Sequence, residues 1–277
     1  MELVFTTGPM DAAVRTRQAL RDGFTRIVAL GGDGTVNEVV NGFFDQGVNA
    51  FPDAELGIVE FGTGGDLRKT LGIPGDPGAA VARIVAGSRR LIDVGRARFV
   101  DSEGRPRERY FVNVASFGLS ANTVHRVDGN QRFKRLAGGL AYAVGGAAEI
   151  LSFVPQQVQL CIDNQPAAGV ELVFCAVANA RYFGGGLEIA PMADVTDGQL
   201  DIITIADAPK LDLLRTIPLL FQGRHLEKPF VHHIRAQSIT ATLVDPARRM
   251  FVETDGESAG QLGATFDVLP RSLSVRC

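Results

Sequence analysis

Positive charge is in short supply here: 28 Lys and Arg stand against 31 Asp and Glu, a net charge of −3 with His neutral. With a pI near 5.8, the chain has no electrostatic footprint for nucleic acid. It also lacks a polybasic tract for an anionic lipid surface. Cysteine is sparse too. Cys161, Cys175 and Cys277 lie far apart without metal-ligand spacing, which suits an intracellular, reducing compartment. Met1 to Phe5 lacks the basic and long apolar regions of a signal peptide. The longest apolar run, Leu136 to Phe153, is rich in Ala and Gly and carries Glu149. It predicts a helix packed on a sheet, one face able to line an apolar pocket, rather than a membrane span. The four histidines, at 125, 225, 232 and 233, have no helical metal spacing, and no Gly-x-Ser-x-Gly element supports a hydrolase triad. Neither a Gly-Lys-Ser/Thr loop nor a Gly-x-Gly-x-x-Gly turn follows a strand.

What is present concentrates in one stretch. Ile27-Val28-Ala29-Leu30 runs straight into Gly31-Gly32-Asp33-Gly34. Val36, Val39 and Val40 then fall at helical spacing, with Asn37 and Glu38 on the other face. This predicts a buried strand, a glycine turn and a helix. Such a turn lets a ligand approach the backbone, and the helix N-terminus behind it favours phosphate. An acid at Asp33 belongs in an anion site only if a cation accompanies the anion, so the stretch reads as nucleotide plus Mg²⁺. The competing reading is a structural turn with Asp33 as N-cap.

On either side the chain reads as follows. Leu3 to Thr7 predicts a short strand, Asp11 an N-cap, Ala12 to Asp22 a helix and Arg26 to Leu30 the next strand. That rhythm implies a parallel, right-handed α/β unit. Leu56 to Val59 is a further strand leading into a second glycine-rich turn, Gly62-Thr63-Gly64-Gly65-Asp66, at the sheet edge where ligands bind. Ala79 to Ala86 predicts a helix, Leu91 to Gly95 the start of a strand, and Asp101 to Arg107 a hairpin connection. From there the rhythm changes. Tyr110–Ala115, Gln157–Ile162, Glu171–Asn179, Leu200–Ile205 and Ser238–Leu243 predict strands, several without helices between them, and Asp207–Phe221 one helix. The expected fold class is α/β with two domains: residues 1–95 a parallel α/β domain, and 96–277 a mainly antiparallel β-sandwich, with a cleft between them.

Gly31-Gly32-Asp33-Gly34-Thr35-x-Asn37-Glu38-Val39-x-Asn41-Gly42 resembles the signature of the diacylglycerol kinase catalytic domain family, which includes bacterial lipid kinases and sphingosine and ceramide kinases. NAD kinases and phosphofructokinases share its Gly-Gly-Asp-Gly core. The resemblance covers about residues 3 to 275 and implies a first domain of NAD kinase/phosphofructokinase type that binds ATP. It assigns the nucleotide to Thr6, Gly31, Gly32, Asp33, Gly34, Thr35, Val36, Asn37, Gly62, Thr63 and Gly64. Members usually begin with another strand ending in an Asn-Pro-x-x-Gly-like loop. This chain begins at the equivalent of the second strand, so the first is expected to be missing, through an internal start or with weakened nucleotide binding. Glu60 to Asp66 is similar to the family's Pro-x-Gly-Thr-x-Asn-Asp, with Glu60 for Pro and Gly65 for Asn.

The resemblance also assigns metal and base. Asp33, Asp66 and Asp93, the last in an Ile-Asp-Val-Gly match, are implied to hold Mg²⁺ through waters. The run from Gly184 to Asp201 resembles the family's second metal loop and gives Asp194, Asp197 and Gln199 a structural Mg²⁺. Asp255-Gly256-Glu257 resembles the catalytic Asp-Gly-Glu, leaving Asp255 or Glu257 as the base, with a lean to Asp255. The expected function is an ATP-dependent lipid kinase acting on a diacylglycerol-like hydroxyl at a membrane surface, cytoplasmic and peripheral at its inner face, with no transmembrane segment and no nucleic-acid partner. The alternatives are a kinase of a soluble acceptor such as NAD and a catalytically impaired nucleotide- or lipid-binding protein.

Overall fold

A computed structural model describes residues 2–62, 64–121 and 149–277. Thr63 and most of the Leu136–Phe153 run lie outside them. The expected strand at Leu3–Thr7 does not form. These residues are exposed, and no described strand lies beside them to supply ladder bonds. Nor is Asp11 an N-cap. It is the first residue of α1 (Asp11–Arg21), preceded by Met10 in the left-handed region at φ 63°. Its carboxylate turns back to accept the Thr7 amide at 2.7 Å.

β1 (Arg26–Gly31) leads into α2 (Asp33–Phe43), whose Val36, Val39, Val40 and Phe43 are buried. α1 and α2 pack closely because of Gly42. A Cβ there would stand 2.6 Å from Thr16 Cβ and 2.7 Å from the Ala13 carbonyl oxygen. A small hairpin of β2 (Phe44–Asp45) and β3 (Val48–Asn49) precedes β4 (Glu55–Glu60). β4 runs parallel to β1 in register from Arg26↔Glu55 to Gly31↔Glu60. Both strands therefore end at one edge, each followed by a glycine-rich turn and a helix. α3 (Asp66–Leu71) and α4 (Pro77–Ala86) follow, and Asp76 caps α4 by accepting the Ala79 amide at 2.8 Å.

The second half is antiparallel. β5 (Arg89–Val100) forms a hairpin with β6 (Pro106–Phe111). The single strand expected over Tyr110–Ala115 is broken, because β6 ends at Phe111 and β7 (Val114–Gly118) begins after Val112 and Asn113. β8 (Gln156–Ile162), β9 (Ala168–Ala178) and the short hairpin of β10 (Tyr182–Phe183) and β11 (Leu187–Glu188) follow. After β12 (Leu200–Ala206), α5 (Lys210–Leu220) starts three residues later than expected. Pro209 stands at its N-cap, and Pro218 lies inside the helix without ending it. β13 (Val231–Ala236), β14 (Ser238–Leu243) and β15 (Phe251–Thr254) lead to β16 (Glu257–Arg276).

β16 joins the two halves. It pairs antiparallel with β15, β14 and β5, then parallel with β4 through Ser274↔Glu55 and Val275↔Leu56. Two apolar cores result. Leu56, Ile58, Ile92, Val94 and Val275 belong to one, and Ala97, Phe99, Phe117, Val252 and Phe266 to the other. β5 and β16 thus pass from core to core. Among the described residues no helix is long and apolar enough to cross a membrane.

Candidate active site

Asp33 sits at the start of α2, where the turn from β1 places its side chain over the neighbouring glycine-rich turn. Its Oδ2 accepts the Gly65 amide and its Oδ1 the Asp66 amide, both at 3.0 Å. The first turn's acid therefore closes the second turn, at the N-terminus of α3. Asp66 is buried and accepts the Gly185 amide at 2.9 Å, with Lys69 Nζ 3.5 Å away. The Gly184–Gly186 segment of the second half is docked on α3 in this way. Burial, and then the neighbouring Asp33 charge, holds the Asp66 carboxyl above the ordinary carboxylate range. Lys69 had no motif to announce it; its signal is a cation one helical turn after an acid.

These two acids fit an oxygen-liganded divalent cation. Each Asp33 oxygen takes one amide and keeps a second lone pair. A cation between the carboxylates would relieve the repulsion that burial sharpens. Asp93 is not brought to them. It is wholly buried, with Oδ1 accepting the Arg271 amide at 2.6 Å and Oδ2 the Gly198 amide at 2.7 Å. Burial, and then the Asp197 and Asp194 charges, hold its carboxyl above the ordinary range. Its carboxylate ties β5 to the 194–199 loop.

In that loop both carboxylates accept from nearby protein donors. Asp194 accepts from the Thr196 amide at 3.0 Å and its hydroxyl at 2.7 Å. Asp197 accepts the Gln199 amide at 2.9 Å and forms an ion pair with Arg235. Its charge is thus already matched. Among the described residues no three His, Cys, Asp or Glu side chains converge to hold a metal.

The Asp-Gly-Glu segment is a hairpin. Thr254 pairs with Glu257 across a two-residue loop whose Asp255 and Gly256 both have positive φ, 49° and 84°, the geometry that Asp-Gly favours. Its tip enters the break between β6 and β7. Asp255 Oδ2 accepts from Asn37 Nδ2 at 2.8 Å and the Val112 amide at 2.9 Å. Oδ1 accepts the Asn113 and Val114 amides at 2.9 and 3.0 Å. Three successive amides bend around one carboxylate, and this is why the expected strand is interrupted. Although the residue keeps some exposure, its carboxylate is enclosed, and desolvation pushes the pKa up to about 6 against those donors. With four donors bound, Asp255 has no lone pair to spare for a substrate proton. The lean to Asp255 as base is therefore corrected. Glu257 stands elsewhere, its Oε1 3.4 Å from where a Cβ of Gly34 would be. An acid from β16 thus faces the first glycine turn.

The remaining motif residues are structural in their observed contacts. Asn37, expected on an outer face, is buried and also donates to the Tyr110 carbonyl at 3.0 Å. Asn41 exchanges bonds with Tyr110, and Glu38 accepts the Ala12 amide at 3.1 Å. α2 is covered by β6 and α1 as well as by the sheet, so its polar face is interior. Val36 is buried, its amide bonded to the Gly32 carbonyl at 3.1 Å. Thr6 lies in the exposed segment before α1. Gly31, Gly32, Gly34 and Thr35 form the first turn, and Gly62 and Gly64 the second, with a Gly62 Cβ position only 3.2 Å from Gly32 Cα.

Sequence reading missed Glu253, which no motif marks. It is buried in β15, accepts the Gly256 amide at 2.7 Å and bonds Ser116 Oγ at 2.5 Å. Burial pushes it up to about 8. Its neutral form holds the hairpin tip from behind. The available signal was an acid inside the strand pattern Phe251-Val252-Glu253-Thr254.

Residues 1–97 match the diacylglycerol kinase catalytic domain, and residues 113–277 the YegS C-terminal NAD kinase beta sandwich-like domain. A protein of Mycobacterium tuberculosis (strain ATCC 25618 / H37Rv) named diacylglycerol kinase is 31% identical over 266 residues, 96% of this chain and 81% of that one. A Bacillus subtilis (strain 168) protein of the same name is 29% identical over 271 residues, 98% of this chain and 83% of that one. The crystal structure of a diacylglycerol kinase from Bacillus anthracis str. Sterne shares the fold, with a TM-score of 0.68 at 20% identity over 99% of this chain and 83% of its own. The chain belongs to the diacylglycerol kinase family and is a lipid kinase of that family.

Proposed function

We propose that the protein transfers the γ-phosphoryl group of ATP to the hydroxyl of a diacylglycerol-like lipid. The observation that carries this is Glu257 facing Gly34 while the Asp33–Asp66 pair closes the adjoining turn. A base candidate and a cation candidate thereby flank one phosphate-sized turn. Residues 1–95 would carry the nucleotide, with its phosphates on the first-turn amides around Gly32 to Thr35 and against Gly62 to Gly64. Residues 96–277 would carry the lipid. Asp33 and Asp66 would hold Mg²⁺, which when bound supplies charge neutralisation for the transferring group.

Glu257 would accept the lipid hydroxyl proton as the new O–P bond forms and the bond to the ADP oxygen breaks. Asp255 acts as a positioning residue, fixing the hairpin tip to α2 through Asn37. Lys69 stands beside the acids as their counter-charge. The test is incubation with γ-labelled ATP, Mg²⁺ and phosphatidylcholine vesicles containing diacylglycerol, with NAD in a parallel reaction. Labelled phosphatidic acid is expected. Label on NAD alone would sink the lipid reading.

A further inference from the structure

The two departures from the lipid-kinase pattern, Glu60 and Gly65, touch each other. Gly65 has φ 71°, and a Cβ there would stand 2.4 Å from Glu60 Oε2 and 2.9 Å from Oε1. Glu60 can lie where it does only because residue 65 has no side chain. Its own side chain is 6% exposed, with Oε2 paired to Arg68 Nε at 2.7 Å. The other oxygen, Oε1, is buried without a hydrogen-bond partner. It lies at the seam between the two glycine turns, 3.9 Å from the Cβ position of Gly62, which itself abuts Gly32.

A buried carboxylate oxygen without a donor is costly, and the native arrangement implies that one arrives. The ionised phosphate cannot supply it, because its oxygens only accept and the Glu60 charge would repel them. The donor is not a directly bound ion either, since the Arg68 guanidinium already pairs with this carboxylate and would repel a second cation on it. We propose that Glu60 is a further ligand-binding residue whose Oε1 accepts a hydrogen bond from an O–H of the bound magnesium nucleotide. That O–H belongs to a water on the cation or to a sugar hydroxyl. The proposal rests on the nucleotide reading above. It turns an apparent loss from the motif into a linked pair, in which Gly65 makes room for an acceptor.

Glu60→Gln is an informative variant. Arg68 requires an oxygen, so the glutamine amide group is forced into the place of Oε1, setting a donor against a donor. Titration calorimetry with the non-hydrolysable analogue AMP-PNP should show binding weakened about tenfold or more, the scale of a lost charge-assisted hydrogen bond. Weakening confined to Mg²⁺-containing buffer assigns the donor to a metal-bound water. Weakening that persists in EDTA assigns it to the sugar. Glu60→Asp, which draws the carboxylate back by one methylene, should weaken binding likewise and serves if the Gln variant does not fold. Affinities within twofold of the parent for both variants, in both buffers, would overturn the proposal. A parent that binds no magnesium nucleotide at all is a different result, and takes down the nucleotide reading together with this one.

Discussion

Asn37 Nδ2 donates to Asp255 Oδ2 at 2.8 Å, joining the helix of the first glycine turn to a hairpin 218 residues further on. The Asp255 carboxylate is the hub of this joint, because it also gathers the amides of Val112, Asn113 and Val114. Replacing it with Asn leaves one oxygen and sets an NH₂ group against donors. Asp255→Asn should destabilise the fold by about 2–4 kcal/mol. In a double-mutant cycle, Asn37→Ala and Asp255→Ala should couple by roughly 0.5–3 kcal/mol. Denaturant midpoints check both values. Full additivity would mean that the 2.8 Å contact contributes nothing.

Glu257→Gln should behave differently. If Glu257 is the base, kcat falls by about 10²–10⁴-fold, while melting temperature and AMP-PNP affinity stay near the parent's. Asp255→Asn, by contrast, should lose activity in step with stability. A Glu257→Gln enzyme with parental kcat would return the search for the base to its starting point.

What the sequence discloses and what it conceals follow from the range of the interactions. β1 and β4 are legible because an apolar run into glycines is a local signal; their observed bounds, Arg26–Gly31 and Glu55–Glu60, extend the expected ones by at most a residue at either end. β14 is legible through a different local signal, the alternation that buries Ile239 and Ala241 between Ser238, Thr240 and Thr242. Asn37 was misplaced because helical spacing gives its angle but not what covers that side, and here β6 does. The role of Asp255 was hidden because sequence counts carboxylates but not the donors aimed at them, and all four of its donors lie more than 140 positions away. Asp93 was assigned by motif to one acid group and is folded into another by Arg271 and Gly198. Leu3–Thr7 has strand composition, yet a strand requires a neighbour.

Glu253 gives stability a pH dependence of determinate sign. Its folded pKa is pushed up to about 8, from an ordinary 4.5, by burial. Between those values the folded protein holds a proton that the unfolded chain has released, so this contribution to stability falls as pH rises through the window. Glu253→Gln keeps the shape and stays neutral. Its oxygen can accept the Gly256 amide, and its amide group can donate to Ser116. The melting temperature of the variant should gain on the parent's steadily from about pH 5 to pH 8. A constant difference across that range would show that Glu253 titrates normally.

Asp66 provides the last prediction, in which two effects of one substitution have opposite signs. Its carboxyl sits above the ordinary range because it is buried beside Asp33. The raised folded pKa means that its contribution to stability declines as pH rises through that pKa, since ionisation then places two charges together. Asp66→Asn removes the repulsion and keeps an oxygen for the Gly185 amide. In EDTA at neutral pH the variant should therefore melt at the parent's temperature or above. A ligand that binds only the folded state raises melting temperature by mass action. Addition of Mg²⁺ with AMP-PNP should thus raise the parent's melting temperature, and should raise that of Asp66→Asn much less, because one of the two carboxylates proposed for the cation is gone. Asp33→Asn should also lose the ligand response but without the gain in EDTA, because its oxygens hold the Gly65 and Asp66 amides. A parental Mg²⁺ response in Asp66→Asn would remove the cation from this pair.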